Sequence, residues 1–450
     1  MNFHVVNLGC KVNKVESDSY VALCLGAGLV QTPLDKAHLV VVNTCAVTSE
    51  AEKKTRKTVR HVCKTAAGAR VVVTGCSAAL HKEEYERISS RIEVVSKALT
   101  SDYLKELVRN AAAQASSDAS PEAFSAALLS VDSSPSTSLS SLPFYAPVGE
   151  GFRTRTGIKV QDGCNNACSY CIVHVARGHA TSRPVEEVLE EVNACIAAGS
   201  RELVLTGINL GSYHQSYGGE EYDLAQLLRL LLRVTESAGV AQGTKKEKES
   251  ATACQAENAP AVRFRLGSIE PLDVSDELIS VIAASNGRIC QHLHLPLQAG
   301  STKVLKEMYR PYTAEAYLSL VQKMRNAMPF LALSTDIIVG FPGETQEDFE
   351  QTCELAKACA FNKIHVFPYS LREGTPAAQR PDQIDPAVKN ERAAYLRTLA
   401  QELTHRDKEA RKGTTEWAIV EEGGVAMTES YYSVSVSCAP AVGSFIPYQF

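Results

Sequence analysis

Cys164, Cys168 and Cys171 stand in the order C-x3-C-x2-C within KVQDGCNNACSYCIVHVARG. Three thiolates on one loop after an apolar strand can each bind one iron of a [4Fe–4S] cubane. A closed protein shell needs a fourth cysteine, and no obvious fourth lies nearby in the sequence. One iron is then left open to a small chelating molecule. Zinc is the chemical competitor, but it takes a closed set of four ligands, usually from paired C-x2-C units. The spacing therefore favours an iron–sulfur site with an open position.

A second triplet lies upstream: Cys10 in LGCKVN, Cys45 in VNTCAVT and Cys76 in VTGCSAA. Each follows an apolar run that reads as a strand. In a parallel sheet the three strand ends point the same way, and ligands bind where the strand order reverses. These cysteines can therefore converge on a second cluster, again with one iron open. Three buried structural thiols are the alternative. The scattered remainder (Cys24, Cys63, Cys195, Cys254, Cys290, Cys353, Cys359 and Cys438) reads as small buried hydrophobes.

The elements that must position these residues form an α/β chain. Apolar runs at 3–8, 38–43, 70–74 and 92–95 read as buried strands, with helix patterns near 15–27, 47–66, 81–89 and after Thr100. This alternation predicts a doubly wound parallel sheet over 1–110. The Ser/Ala/Pro-rich stretch at 111–150 reads as a linker. Over 151–385, strands are predicted at 157–161, 202–206, 262–267, 289–295, 332–339 and 363–369. Helices are predicted between them at 184–198, 223–238, 274–285, 301–308, 313–328 and 345–359. Six βα units predict a partial (βα)6 barrel, with chemistry at the C-terminal strand ends. The polar stretch 244–258 reads as a surface insertion. A charged helix at 386–411 and the alternating AIVEE and YYSVSVS then predict a small β module within 386–450.

Composition narrows the class. The chain has 450 residues, 45% hydrophobic and 22% charged, which is globular and long enough for two or three domains. No apolar run reaches membrane-spanning length, and MNFHVVNLGC lacks the basic head and cleavage site of a signal peptide. A cytoplasmic protein is expected. In that reducing compartment, clustered cysteines among the fourteen point to metal or catalysis rather than disulfides. A net charge of −5 disfavours non-specific coating of nucleic acid but permits a local basic surface.

The C-x3-C-x2-C loop, with Tyr170 before its last cysteine, resembles the radical S-adenosylmethionine superfamily. Both triplets, with ELVLTGINLGSY, RLGSIEP, HLHLPLQAGSTKVLKEMYRPYT, STDIIVGFPGET and HVFPYSLREGTPAA, resemble the methylthiotransferase family over nearly the whole chain. The resemblance implies two [4Fe–4S] clusters and S-adenosylmethionine as cofactors. Cys164, Cys168 and Cys171 would hold the radical-generating cluster, and Cys10, Cys45 and Cys76 the auxiliary one that carries sulfur. A substrate C–H would become C–SCH3. Tyr170, Gly207, Ser268, Glu270 and Gln298 are the candidate S-adenosylmethionine contacts; Gly207, Gly340 and Gly343 also suit tight turns. The C-terminal module resembles the RNA-binding TRAM domain. An electron donor such as a flavodoxin or ferredoxin, and a sulfur source, are the implied partners.

Three branches of that family act on threonylcarbamoyladenosine in tRNA, on isopentenyladenosine in tRNA, or on a ribosomal protein. LGCKVNKVES, VNTCAVTSEAEKKTRKTVR and HVFPYSLREGTPAA are closest to the threonylcarbamoyladenosine branch. Lys53, Lys57, Arg60 and Lys64 fall near one helix face with Lys54 and Arg56 beside it, a phosphate-contacting arrangement or a solvated face. Competing classes are a radical enzyme that uses its second cluster for electron transfer, and a non-catalytic iron–sulfur or RNA-binding protein. The chain departs from the family pattern at His174 and Val175, where Pro-Tyr is usual, and at Ser77, where an aromatic is common. Its Ser-rich stretch is longer than usual and its tail after Lys412 is short.

Overall fold

The computed structural model describes residues 2–115, 146–236, 259–436 and 440–450. It forms two compact units, Met1–Pro147 with Ile172–His179, and Val148–Cys171 with Ala180–Phe450. Most of the Ser-rich stretch, the insertion at 244–258, Cys254 and Cys438 lie outside the described residues.

The first unit is built on β1 (Asn2–Asn7), β2 (Val30–Gln31), β3 (Leu39–Thr44), β4 (Arg70–Gly75) and β5 (Ile92–Val94). All pairings are parallel, in the order β2-β1-β3-β4-β5. Helices α1 (Lys11–Gly26), α2 (Ser49–Thr65), α3 (Cys76–Leu80), α4 (Lys82–Glu86), α5 (Thr100–Ala115) and the later α6 (Val173–Arg177) complete it. Every residue of β3 and β4 is buried, as a sheet covered on both faces requires. Alternate side chains serve two cores. Leu39, Val41 and Val72 pack with Phe3, Tyr20, Leu104 and Leu107, whereas Val40, Val42, Val71 and Val73 pack with Val59, Val62 and Tyr85. The expected doubly wound sheet is present.

Three details differ from expectation. The first helix begins at Lys11, not near residue 15, because Cys10 stands at its N-cap. The helix expected at 81–89 is only the short α4, Lys82–Glu86; a separate short helix, α3, precedes it, and His81, with φ of −133°, divides the two. The two-residue strand β2 was not expected; it is too short to show a period.

In the second unit, β6 (Arg155–Lys159), β9 (Glu202–Thr206) and β12 (Arg263–Leu266) pair in parallel, as do β13 (His292–His294), β14 (Ala332–Val339) and β15 (Lys363–Pro368). Parallel bridges Phe264↔Ile289 and Ser268↔His294 join the two halves into one six-strand wall. The connecting helices are α7 (Val185–Ala197), α8 (Leu224–Val234), α9 (Asp276–Ala283), α10 (Thr302–Glu307), α11 (Ala314–Ala327) and α12 (Gln346–Cys359). Short antiparallel pairs β7 (Gln161–Asp162) with β8 (Thr181–Ser182), and β10 (His214–Tyr217) with β11 (Glu220–Asp223), are additions. This is the predicted partial barrel.

Helix α13 (Pro386–Ala410) leads to an antiparallel sheet of β16 (Thr415–Glu421), β17 (Val425–Met427), β18 (Ser433–Ser435) and β19 (Phe445–Gln449), ordered β18-β17-β16-β19. The short tail thus still forms four strands. The module is anchored to the starts of the barrel strands. Buried Arg263 and Arg265 of β12 share the carboxylate of Glu202 on β9. They also donate to the carbonyls of Trp417 (2.6 Å), Thr428 (2.8 Å) and Glu429 (2.9 Å). Burial alone would raise the Glu202 pKa, but the two guanidiniums override it and hold the carboxyl at about 2. Among the described residues, no helix is long and apolar enough to cross a membrane.

Candidate active site

In the first unit, Cys10, Cys45 and Cys76 follow β1, β3 and β4, three adjacent parallel strands. The chain runs from β1 outward to β2 and then returns to β3 on the other side, so Cys10 and Cys45 flank the reversal of strand order. Glycine makes this convergence possible. Gly9 has φ +105°, and a Cβ there would lie 2.4 Å from the Cβ and 2.5 Å from the Sγ of Cys45. Asn13 ties two of the loops together, donating from Nδ2 to the carbonyls of Leu8 and Thr44, each at 2.8 Å. Burial pushes the Cys45 thiol up; the Val47 amide opposes this, and neighbouring Cys10 and Cys76 add to the rise. Cys45 is therefore near both other cysteines, and all three are free thiols.

Charged groups surround this site. The Arg177 guanidinium on α6 donates from Nε to Cys76 Sγ at 3.2 Å, from Nη1 to Glu16 at 3.1 Å and from Nη2 to Asn13 Oδ1 at 2.8 Å. Lys97 meets Glu16 at 2.5 Å and Asn13 Oδ1 at 2.9 Å. His174 on the same short helix forms no side-chain hydrogen bond among the described residues, and its Nδ1 is buried without a partner. Ser77 hydrogen-bonds the hydroxyl of Tyr85 at 2.7 Å in the core, so a polar pair occupies the place where an aromatic side chain was the usual pattern.

In the second unit, the loop carrying Cys164, Cys168 and Cys171 follows β6 and β7 at the C-terminal side of the barrel wall. Two other segments clamp it. Ser169 donates from its amide to the Met308 carbonyl (3.1 Å) and from its hydroxyl to the Glu307 carbonyl (2.8 Å). Its own carbonyl accepts from Ala377 (2.8 Å). Arg310 donates from Nη1 to Cys168 Sγ at 3.2 Å, while Nη2 pairs with Glu270. Burial raises the Cys164 thiol and the Glu270 carboxyl, and Arg310 opposes both. Tyr170 shares this environment; burial pushes its phenol well up, and Cys168 and Cys171 add to the rise while Arg310 opposes it.

The remaining candidates occupy the expected strand ends. Gly207 follows β9, Ser268 follows β12 and Gln298 follows β13. Among the described residues, neither Ser268 nor Gln298 hydrogen-bonds the cysteine loop through its side chain. Gln298 has φ +69°, a conformation rare for a residue with a side chain and found at functional sites. Gly340 (φ +70°) and Gly343 (φ +75°) serve turns as expected. Gly207 does not: its backbone is ordinary, and a Cβ there would lie 2.7 Å from Gln161 Oε1. That oxygen accepts from the amides of Ile208 and Asn209, each at 2.9 Å, which shapes the loop.

Sequence reading missed Arg177 and Arg310, both buried through contacts more than one hundred residues away in the chain. It also missed His294, Asp336 and His365, polar residues on β13, β14 and β15, one nitrogen or oxygen of each lying within 4.8 Å of the others. Their signal lay inside the quoted segments, but a charged or polar residue in a sequence reads first as surface.

Comparisons with known proteins agree with this geometry. The Radical SAM superfamily model matches residues 158–356, and that of the Uncharacterized protein family UPF0004 matches residues 2–96. The threonylcarbamoyladenosine tRNA methylthiotransferase MtaB of Thermotoga maritima is 32% identical, covering 98% of this chain and 92% of its own. The Bacillus subtilis protein of the same name is 36% identical over 89% of this chain and 80% of its own. The tRNA-2-methylthio-N(6)-dimethylallyladenosine synthase of Carboxydothermus hydrogenoformans is 31% identical over 93% and 88%. Among solved structures, the radical S-adenosylmethionine methyltransferase TsrM of Kitasatospora setae aligns with a TM-score of 0.53 at 16% identity, covering 84% of this chain and 75% of that one. The last likeness shows the fold.

Proposed function

This chain belongs to the radical S-adenosylmethionine methylthiotransferase family, and we propose that it converts N6-threonylcarbamoyladenosine of tRNA into the 2-methylthio derivative. The observation that carries the reading is near-full-length similarity to relatives of that named activity, joined to two separate cysteine triplets. The family uses two [4Fe–4S] clusters and S-adenosylmethionine.

The residues present fit those groups. Each triplet offers three free thiols, and among the described residues no fourth is joined to either, the donor set that leaves one iron open. On this reading Cys164, Cys168 and Cys171 hold the radical cluster, and Cys10, Cys45 and Cys76 the auxiliary cluster. When bound, these cofactors supply a hydrogen-abstracting radical and the sulfur that is transferred. The chain's own residues orient and shield them. Ser169 pins the loop, and Cys168 is nearly excluded from water at 6% exposure. Arg310 steadies one ligand sulfur, and on this reading Tyr170, Glu270, Ser268, Gln298 and the backbone at Gly207 would be the contacts for S-adenosylmethionine.

For tRNA, α2 offers the basic face. Its buried residues are Thr55, Val59 and Val62, which leaves Lys53, Lys57, Arg60 and Lys64 exposed. Among the described residues none of these four pairs with a carboxylate. The C-terminal four-stranded sheet is the second RNA-binding element on this reading. A flavodoxin- or ferredoxin-type donor and a sulfur source complete the system, in the cytoplasm.

Expression of the full chain in a bacterial host stripped of its own methylthiotransferases tests the assignment. Mass spectrometry of tRNA nucleosides should show 2-methylthio-threonylcarbamoyladenosine. A 2-methylthio derivative of dimethylallyladenosine appearing instead would move the chain to the other tRNA branch.

A further inference from the structure

Beyond the ligands themselves, we infer that Arg177, balanced by Glu16 and Lys97, is a positioning residue that sets the charge and reduction potential of the auxiliary cluster. The inference rests on the assignment of Cys76 as a ligand of that cluster.

The three side chains are only 1%, 5% and 8% exposed. Buried charges on this scale are kept only where they are paired. Glu16 is shared: one oxygen takes Arg177 and the other takes Lys97. Asn13 Oδ1 accepts from both cations, at 2.8 and 2.9 Å. The guanidinium brings both a hydrogen bond and its positive charge to Cys76 Sγ, through Nε at 3.2 Å. Hydrogen bonds to ligand sulfurs and the local net charge are the protein's principal controls over iron–sulfur potentials. Here both act on one sulfur, in a place where water screens little.

The arrangement makes predictions of opposite sign. Arg177→Gln removes the cation and the sulfur bond, so the auxiliary cluster's midpoint potential should fall. Glu16→Gln removes the anion and leaves both cations, so the potential should rise. A purely structural role would move both variants the same way or neither. Arg177→Lys keeps the charge but not the three-way fork, and should fall between wild type and Arg177→Gln; as the conservative change, it also preserves the test if Arg177→Gln does not fold.

The experiment is a potentiometric titration of the full chain with both clusters reconstituted, followed by electron paramagnetic resonance. The auxiliary wave is the one that survives Cys164→Ala/Cys168→Ala/Cys171→Ala. Opposite shifts in Arg177→Gln and Glu16→Gln support the inference. An unmoved wave, or shifts in one direction, overturns it. Iron content separates the underlying assignment: if Cys76→Ala keeps a full complement of about eight irons, Cys76 is not a ligand and the site assignment itself fails. If Cys76→Ala loses about half while Arg177→Gln leaves the wave unmoved, the inference about Arg177 alone fails.

Discussion

Arg310 donates to the sulfur of Cys168 across 3.2 Å. Its other nitrogens reach Glu270 and the Tyr312 hydroxyl, so the guanidinium is fixed from three sides at 1% exposure. One buried cation thereby links a cysteine of the loop to a carboxylate at a strand end, joining two segments that are far apart in sequence.

Replacing Arg310 by Met removes the sulfur contact and leaves Glu270 facing the site alone. Loss of a partner that orients a metal ligand ordinarily costs about 10- to 100-fold. Formation of 5′-deoxyadenosine by the reduced enzyme should fall by about that factor. Arg310→Lys, which keeps the charge without the fork, should recover part of it. An unchanged rate would show that Arg310 is only a structural tie.

The two cysteine triplets should separate chemically. Cys45→Ala is expected to lose about half of the iron, keep 5′-deoxyadenosine formation and abolish methylthio product. Cys168→Ala should lose 5′-deoxyadenosine formation as well. Iron analysis and product chromatography on the same samples check both arms.

Charge reversal of Lys53, Lys57, Arg60 and Lys64 to Glu should leave the fold intact, because all four are exposed. Binding of tRNA should weaken at least tenfold at low salt. The slope of log K against log salt should flatten by up to ~0.9 for each phosphate that is no longer neutralised. Filter binding at several salt concentrations measures both quantities. A wild-type affinity would remove α2 from the RNA surface.

Glu202 governs the joint between the barrel and the C-terminal sheet. Glu202→Gln strands two buried arginines, a change expected to destabilise the second unit by about 3–5 kcal/mol. The pH dependence follows from the lowered carboxyl, held at about 2 in the fold. A depressed acid contributes stability above its unfolded pKa, and that contribution is lost as pH falls toward the folded value. Denaturant midpoints should therefore converge between wild type and variant as pH falls from about 5 to about 2.

Much of the architecture was legible because parallel strands buried on both faces announce themselves. VVV at 40–42 and VVV at 71–73 cannot be surface helix in this context, and the barrel strands Glu202–Thr206 and Ala332–Val339 match expectation at both ends. Short or polar pairings were not legible: Val30–Gln31 has no period, and the hairpin His214–Tyr217 with Glu220–Asp223 is almost wholly polar. In the tail, β16 and β18 were visible as alternating runs, while β17 and β19 are defined by their partners.

The sites divide the same way. Cysteine spacing, with the strand-end position of each upstream cysteine, is enough to point to two triplets. The arginines that hold Cys76 and Cys168 did not stand out, because nothing local distinguishes a buried guanidinium from a solvated one. Only tertiary packing brings Arg177 to Cys76, 101 positions away, and Arg310 to Cys168, 142 positions away.

Purified enzyme decides which nucleoside receives the methylthio group. The full chain, with both clusters reconstituted, would be given S-adenosylmethionine, a reductant and two tRNA anticodon stem-loops. One stem-loop bears threonylcarbamoyladenosine and the other dimethylallyladenosine. Mass spectrometry of the digested RNA should find the methylthio group on the threonylcarbamoyl substrate, with little on the other. Methylthiolation of the dimethylallyl substrate alone, or of neither with active S-adenosylmethionine cleavage, would contradict the threonylcarbamoyladenosine assignment.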